Sequence, residues 1–444
     1  MPVTNPAHPD SRPGARLVPW SFRAGLALLL VWGRLPPARA QMASPLPSAG
    51  TAQIAPGPDA GVPPTLSEQD NPGEFQVLTG GGSPRGELDE PFQYGPVIFH
   101  PRVSYRYLYT DGLQASPGNQ TKTVVQDLFP GLLVDLGPNW VLDYAPTLRF
   151  YSDPAFRDGV DQSFDVHGGV TYDQWRFGLS QSFTDSTSPT VETGSQVSQQ
   201  VYATGLSVGC QLNPILSLDL QGSQDLQFAS GSSSVGDLQS TREWSTMDFL
   251  NFHFWQRFTF GAGVGVGYVL SNDSPTQTFE QFQGRFSWRI TDKTSLQANA
   301  GLDDRQFSGG GRPDLSNPTY GAALQYQMFE NTSLFCNLSQ AVTQSLIQDS
   351  ITVSTAYGVG VSQRLLGKLH LNVSGSYSTE DFLSTQAAVT DRTDNAWSLN
   401  TRLSCPFLKR GTLGLTWQYS HNQSTESGLT YGTTQLGFDF GYSF

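Results

Sequence analysis

The sequence predicts an all-β chain, a transmembrane antiparallel β-barrel of about eighteen strands, with sixteen as the other admissible count. Three observations carry this expectation. From residue 97 to residue 444, apolar residues alternate with small or polar ones at a period of two, the period of a strand. Tight turns and longer polar connections also alternate along the chain, as they do when turns gather at one rim of a barrel and loops at the other. Finally, the repeating region keeps one composition throughout and shows no domain break.

The first 40 residues belong to a different kind of segment. Arg16 and Arg23 precede the apolar run Ala24 to Trp32, and Ala38-Arg39-Ala40 precedes Gln41. A basic flank, a short apolar stretch and an A-x-A site read as a secretory signal peptide over 1–40. The run is too short for a spanning helix, which needs roughly 20 apolar residues. Removing the segment takes five arginines and one aspartate from 25 basic and 38 acidic residues, leaving 20 and 37 and a formal charge near −17. Such a balance argues against a nucleic-acid partner, because phosphate binding needs a basic footprint. Residues 41–91 are rich in Pro, Gly, Ser and Ala without a lasting period, and read as a flexible periplasmic linker. The barrel is then expected over 92–444.

Eighteen alternating segments run from 97–109 to 430–444. Eight tight connections separate them in pairs, among them Gly137-Pro138-Asn139, Asn213-Pro214 and Leu366-Gly367. The intervening connections are mostly longer, for example Asp185 to Val197, Ser308 to Ser316 and Asp381 to Asp391. In the segment 256–270, Phe258, Phe260, Ala262, Val264, Val266, Tyr268 and Leu270 share one face, opposite Thr259 and four glycines. Lipid outside and water inside produce this pattern, since only a closed sheet satisfies its backbone in hydrocarbon. A large soluble sandwich would show the same dyad with its apolar face inward; the sorting of short and long connections distinguishes the two. Aromatics near segment ends, such as Tyr105, Tyr107, Tyr109, Trp140, Phe150, Tyr151, Trp175 and Trp288, suit interfacial girdles.

The inward half of the segments carries Arg102, Arg106, Arg149, Arg176, Arg285, Arg289 and Arg402, with Asp143, Asp165, Asp219 and Asp439. Charges inside a span are costly unless paired or hydrated, so these eleven residues are the pore-lining candidates. Two readings stand. In one, a basic inner rim and a mouth rich in Asp111, Asp153, Asp158, Glu192, Asp303, Asp304 and Asp381 form an electrostatic gradient that selects solutes. In the other, the charges make salt bridges within the wall.

Catalytic, cofactor and metal sites find no support. The histidines are scattered, no H-E-x-x-H or G-x-S-x-G occurs, and Cys210, Cys336 and Cys405 lie far apart without metal spacing. No enzyme activity is expected.

Two resemblances sharpen the expectation. The final segment, with Phe438, Phe440, Tyr442 and Phe444 aligned on one face, resembles the closing strand of bacterial outer-membrane barrels. That likeness implies an assembly signal read by barrel-assembly machinery, and a location in the outer membrane among its lipid and lipopolysaccharide. The stretch FPGLLVDLGPNWVLDYAPTLRFYSD at 129–153, followed by DQSFDVHGGVTYD and WRFGLSQSFT, resembles the outer-membrane β-barrel porin family of the second porin type. Some members of that family are associated with exopolysaccharide production. The resemblance implies passive diffusion of small hydrophilic solutes or ions, or alternatively a non-conducting accessory barrel in polysaccharide export or envelope anchoring. Solute, oligomeric state and any plugging of the lumen, for instance by residues 67–95, are not set by the sequence.

Overall fold

The computed structural model describes residues 92–231, 237–255, 257–272, 274–308, 314–384 and 391–444. The leader at 1–40 and the linker at 41–91 lie outside the described residues, and so does 67–91 of the segment considered as a plug.

Twenty strands occur among the described residues. They are β1 Phe92–Tyr94, β2 Val97–Ser116, β3 Asn119–Leu136, β4 Trp140–Tyr144, β5 Thr147–Tyr151, β6 Gly159–Tyr172, β7 Trp175–Pro189, β8 Gln196–Gln211, β9 Leu216–Ser230 and β10 Thr241–Trp255. The second half comprises β11 Phe258–Ser271, β12 Thr276–Thr291, β13 Thr294–Ser308, β14 Leu315–Phe329, β15 Thr332–Gln344, β16 Ser350–Leu365, β17 Leu369–Ser384, β18 Arg392–Phe407, β19 Gly411–Ser424 and β20 Tyr431–Ser443. Neighbouring wall strands pair antiparallel, and β2 closes the sheet on β20 with Tyr105 opposite Phe440.

Two details reduce twenty strands to eighteen wall positions. β4 and β5 are one position interrupted at Ala145-Pro146, for both keep a single register against β3, Leu132 to Tyr144 and Leu128 to Leu148. That register sets Pro146 against Pro130, and neither proline has an N–H for the ladder. β1 is a short hairpin arm on β2, with Gly95 at φ +59° in its turn. Phe92 and Tyr94 are exposed there, so residues 92–95 stay at the rim and do not plug the lumen.

Beyond 109 the chain does not leave the sheet. β2 and β3 continue as a hairpin to Pro117-Gly118, with register shifts at Asp111/Leu113 and Gln114/Ser116. Gly112, at φ +91°, lies at the first shift, where a Cβ would come within 2.1 Å of the Gly432 carbonyl. Only glycine lets the two backbones approach this closely.

Outer and inner faces follow the dyad. On β11, Phe260, Val264, Val266 and Tyr268 are exposed, whereas Gly261, Gly265 and Val269 are buried. Exposed Leu, Phe, Tyr and Trp recur on the outward parity around the sheet, including Trp175, Trp288, Trp397, Leu415 and Phe438. This is an apolar exterior with a polar interior, the inverse of a soluble sandwich. Tyr151 departs from the girdle expectation: it shares the inward parity of Arg149 and stacks on Phe156 at 5.0 Å.

Candidate functional site: the inner wall and the loop-side mouth

All eleven candidate charges fall on the inward parity, but most are neutralised in pairs. Between β2 and β6 the wall carries an ionic ladder. Arg106 donates from Nε and Nη2 to Asp127 Oδ2 at 3.0 and 2.5 Å, and Arg149 donates from Nε to Asp127 Oδ1 at 3.0 Å. Arg149 Nη1 also lies 3.3 Å from Asp161, whose other oxygen accepts the Thr187 N–H at 2.8 Å. The Asp127 side chain is fully buried. Nearer the turn side, Arg102 donates to both oxygens of Asp143 at 2.7 and 2.9 Å, and Asp165 meets His167.

Across the barrel, Arg285 donates to Asp219 at 2.5 Å and to Asn251, with its guanidinium 3.9 Å from the centre of the Phe249 ring. Arg402 donates to Asp439 at 2.5 Å. Five of the seven arginines are thus held by carboxylates. Arg176 and Arg289 are exposed near the turns and have no ion pair among the described residues. A pair closed to solvent depends strongly on both partners, whereas a half-exposed pair contributes little.

Sequence reasoning missed Asp127, Asp161 and two further pairs, Arg305 with Asp303 and Arg392 with Asp394. In β3 each face mixes polar and apolar side chains, Val124, Gln126 and Leu128 against Val125, Asp127 and Phe129. No alternation marks Asp127 as inward there; only the register with β2 and β5 does.

The acidic mouth also needs correction. Asp111, Asp303, Asp304 and Asp381 lie within β2, β13 and β17 rather than in loops. Glu192 is in the β7–β8 connection as expected, yet it does not face outward into solution.

Residues 190–195 form a self-bonded strap. Thr190 N donates to Ser195 O at 3.1 Å, Gly194 N donates to Thr190 O at 2.9 Å, and the hydroxyls of Thr190 and Thr193 lie 2.7 Å apart. The strap reaches the tip of the β15–β16 hairpin, eight wall positions away. There Glu192 Oε1 accepts the Ser345 hydroxyl, the Leu346 N–H at 2.8 Å and the Ile347 N–H at 3.2 Å. Arg392 Nη1 donates to the Glu192 main-chain oxygen at 2.8 Å. Gly194 lies against Leu429 of the β19–β20 connection and Gln114 of β2.

Other connections hold the same tip. Gln239 Nε2 donates to Ser345 O at 2.7 Å, its N–H donates to Leu346 O at 2.9 Å, and Leu238 bridges to Ile347. Ser274 accepts the Asp349 N–H at 3.0 Å. The stem of the hairpin is held differently. Val342, Ile351 and Val353 are buried and pack with Phe307, Leu315 and Leu383, and Arg305 donates to Val342 O at 3.0 Å. Each buried aliphatic side chain contributes about 1.5–3 kcal/mol, against about 1 kcal/mol for a typical hydrogen bond. Leu346 at the tip is buried as well.

Ser217 Oγ lies 3.0 Å from His253 Nε2, and His253 Nδ1 lies 3.1 Å from the Thr259 hydroxyl. A hydroxyl in the third place leaves the imidazole without the carboxylate that orients and charges it in a hydrolytic triad.

Residues 267–440 match the model of the family described as putative beta-barrel porin 2. It is this porin family that the sequence resembles. The match lies in the second half of the porin-like barrel, whereas the stretch 129–184 that first suggested the family lies outside it. A closed strand wall with an apolar exterior is the form in which a β chain spans an outer membrane, and the outer membrane is where this chain lies. No curated protein sequence matches. Among solved structures, OccK2 (OpdF) of Pseudomonas aeruginosa is 14% identical and is matched over 78% of this chain and 98% of that one, with a TM-score of 0.45. OccAB2 of Acinetobacter baumannii is 11% identical over 78% and 98%, with a TM-score of 0.46. Likeness at this level carries no argument about solute; the architecture rests on the strand pairings.

Proposed function

We propose that the barrel conducts small hydrophilic solutes and ions passively across the outer membrane, with no catalytic step. The observation that supports this reading is the inner face of a closed eighteen-strand wall, which is polar and ion-paired while the outer face is apolar. A barrel of this strand number encloses room for water unless its own residues fill it. Because five arginines are paired, selectivity falls to Arg176 and Arg289 at the turn-side rim, which favour anions there. Phe438, Phe440, Tyr442 and Phe444, on the outward parity of β20, serve as the assembly signal, and the outward belt contacts lipid and lipopolysaccharide.

One observation favours the second reading, an accessory barrel that does not conduct: the connections interlock across the loop-side mouth. Single-channel recording of the refolded protein in a planar bilayer, with unequal potassium chloride on the two sides, separates the readings. Discrete steps with a reversal potential on the anion side support the channel. Replacing Arg176 and Arg289 together with Gln then moves that potential toward cations, and more than Arg285→Gln does. Silence from protein that is heat-modifiable on gels, and so folded, overturns the channel in favour of the accessory barrel.

A further inference from the structure

One charge faces the lipid. Asp248 is the middle residue of β10, seven positions from Thr241 and seven from Trp255. Its cross-strand neighbours are Leu220 on β9 and Val264 on β11, both exposed on the outward parity. Along β10 the same face carries Leu250 and Phe252 toward the turns and Trp244 toward the loops, so the carboxyl lies within the apolar belt and not at its edge. Among the described residues no other charged side chain is placed in this way. At about 3.3 Å per residue, either end of the strand is roughly 23 Å away along the chain, far beyond the reach of an aspartate.

Other polar side chains on the outer face are satisfied within the wall. Gln181 Nε2 donates to the Ser182 and Ala203 oxygens at 3.1 and 3.2 Å, and its Oε1 accepts the Thr204 hydroxyl at 2.6 Å. Gln126 accepts the Tyr105 hydroxyl at 2.9 Å. Asp248 makes no hydrogen bond or ion pair among the described residues, and neither do its outward neighbours Gln224 and Thr246. Between Gln224 and Asp248 the outer surface dips: Gly222 lies opposite Thr246, and a Cβ added to Gly222 would meet no atom within 4 Å.

We propose that the outer face of β7–β10 is an interface with a second copy of this chain, in which Asp248 of each copy is met by the Gln224 amide and the Thr246 hydroxyl of the other. Ionised or protonated, a carboxyl has lone pairs or an O–H to place, and hydrocarbon tails offer no partner. The band supplies both halves of the contact, acceptors at Asp248 and uncommitted donors at Gln224 and Thr246. Gln224 is eight residues from the turn-side end of β9 and Asp248 seven from that of β10, so the two lie at similar depth. Copies related by an axis along the membrane normal hold equivalent residues at one depth, and donor and acceptor can then face each other reciprocally. The dip at Gly222 lets the two walls approach closely, as small residues do in membrane interfaces. Leu179, Leu206, Leu220 and Leu250 surround the band and pack against their equivalents. The interface does not depend on whether the barrel conducts.

The test uses the refolded chain in lipid vesicles, with cross-linking read on gels and mass read after mild detergent extraction. Wild type is expected to run as an assembly of at least two chains. Asp248→Leu, which suits the lipid face, stays heat-modifiable and raises the dissociation constant about tenfold or more. With Cys210, Cys336 and Cys405 replaced by Ser, Gly222→Cys forms an intermolecular disulfide, whereas Leu399→Cys, exposed on β18 nine wall positions away, does not. A wild type that stays a single chain and gains stability to urea from Asp248→Leu overturns the interface and leaves a lone carboxyl in lipid. Association unchanged by Asp248→Leu, or cross-linking at Leu399→Cys equal to that at Gly222→Cys, also overturns it.

Discussion

Two walls of the barrel fill their inner faces differently. From β2 to β6 the lining is ionic, with Arg106, Asp127, Arg149 and Asp161 in one hydrogen-bonded run. From β10 to β12 large apolar side chains share it with polar ones: Met247, Phe249 and Phe279 are buried against the glycines of β11, beside Arg285 and Asn251. A Cβ on Gly267 would lie 2.0 Å from Phe279 Cζ, and one on Gly263 would lie 2.5 Å from Phe249 Cδ1. The first wall depends on charge balance and the second on space. A glycine-rich strand is therefore no sign of weakness here; it is the shape into which large side chains of its neighbours fit.

The comparison breaks most sharply at Asp127. Asp127→Asn keeps the size and removes the charge shared by two buried guanidiniums, of which Arg149 keeps Asp161. Removing one partner of a buried pair costs about 3–5 kcal/mol. Urea unfolding of the refolded barrel in lipid vesicles checks this. A loss below about 1 kcal/mol, the range of surface pairs, would show the ladder to be hydrated and would erase the distinction between the walls.

The glycine wall predicts a smaller loss. Gly267→Leu places a side chain where the Phe279 ring now lies, and overpacking of this kind costs about 1–3 kcal/mol. Combining it with Phe279→Ala returns the space, so the double variant unfolds closer to wild type than the sum of the two singles. Additive losses would mean that the ring does not depend on the glycine.

These walls also mark what the sequence could and could not disclose. Strand number, the sorting of turns and loops, and the inward parity of Arg102 through Asp439 are periodic properties, and a period of two is written in the chain itself. The β11 glycines were visible as one face of a segment, though not their reason, because Phe249 and Phe279 belong to neighbouring strands. Pairing is a property of register. Arg149 was named as a lumen charge without Asp127, and Arg285 without Asn251, since nothing local specifies which residue lies opposite. Glu192 was placed correctly in a long connection, but its destination depends on the tip at 345–347, about 150 residues later in the chain.

The smallest effect lies at the turn-side end of the ionic wall. Arg102 and Asp143 make two good hydrogen bonds, yet their side chains keep 26% and 20% of their exposure, whereas the Asp127 side chain keeps none. Lumen water screens the half-exposed pair and can solvate whichever partner remains. Arg102→Gln is therefore expected to lower stability by no more than about 1 kcal/mol. If the loss instead matches that of Asp127→Asn, solvent does not reach the turn-side end, the ladder continues dry from β6 to the rim, and the room left for solute on this side of the lumen shrinks accordingly. Stability at Arg102 thus reports on hydration of the wall, independently of any measurement of current.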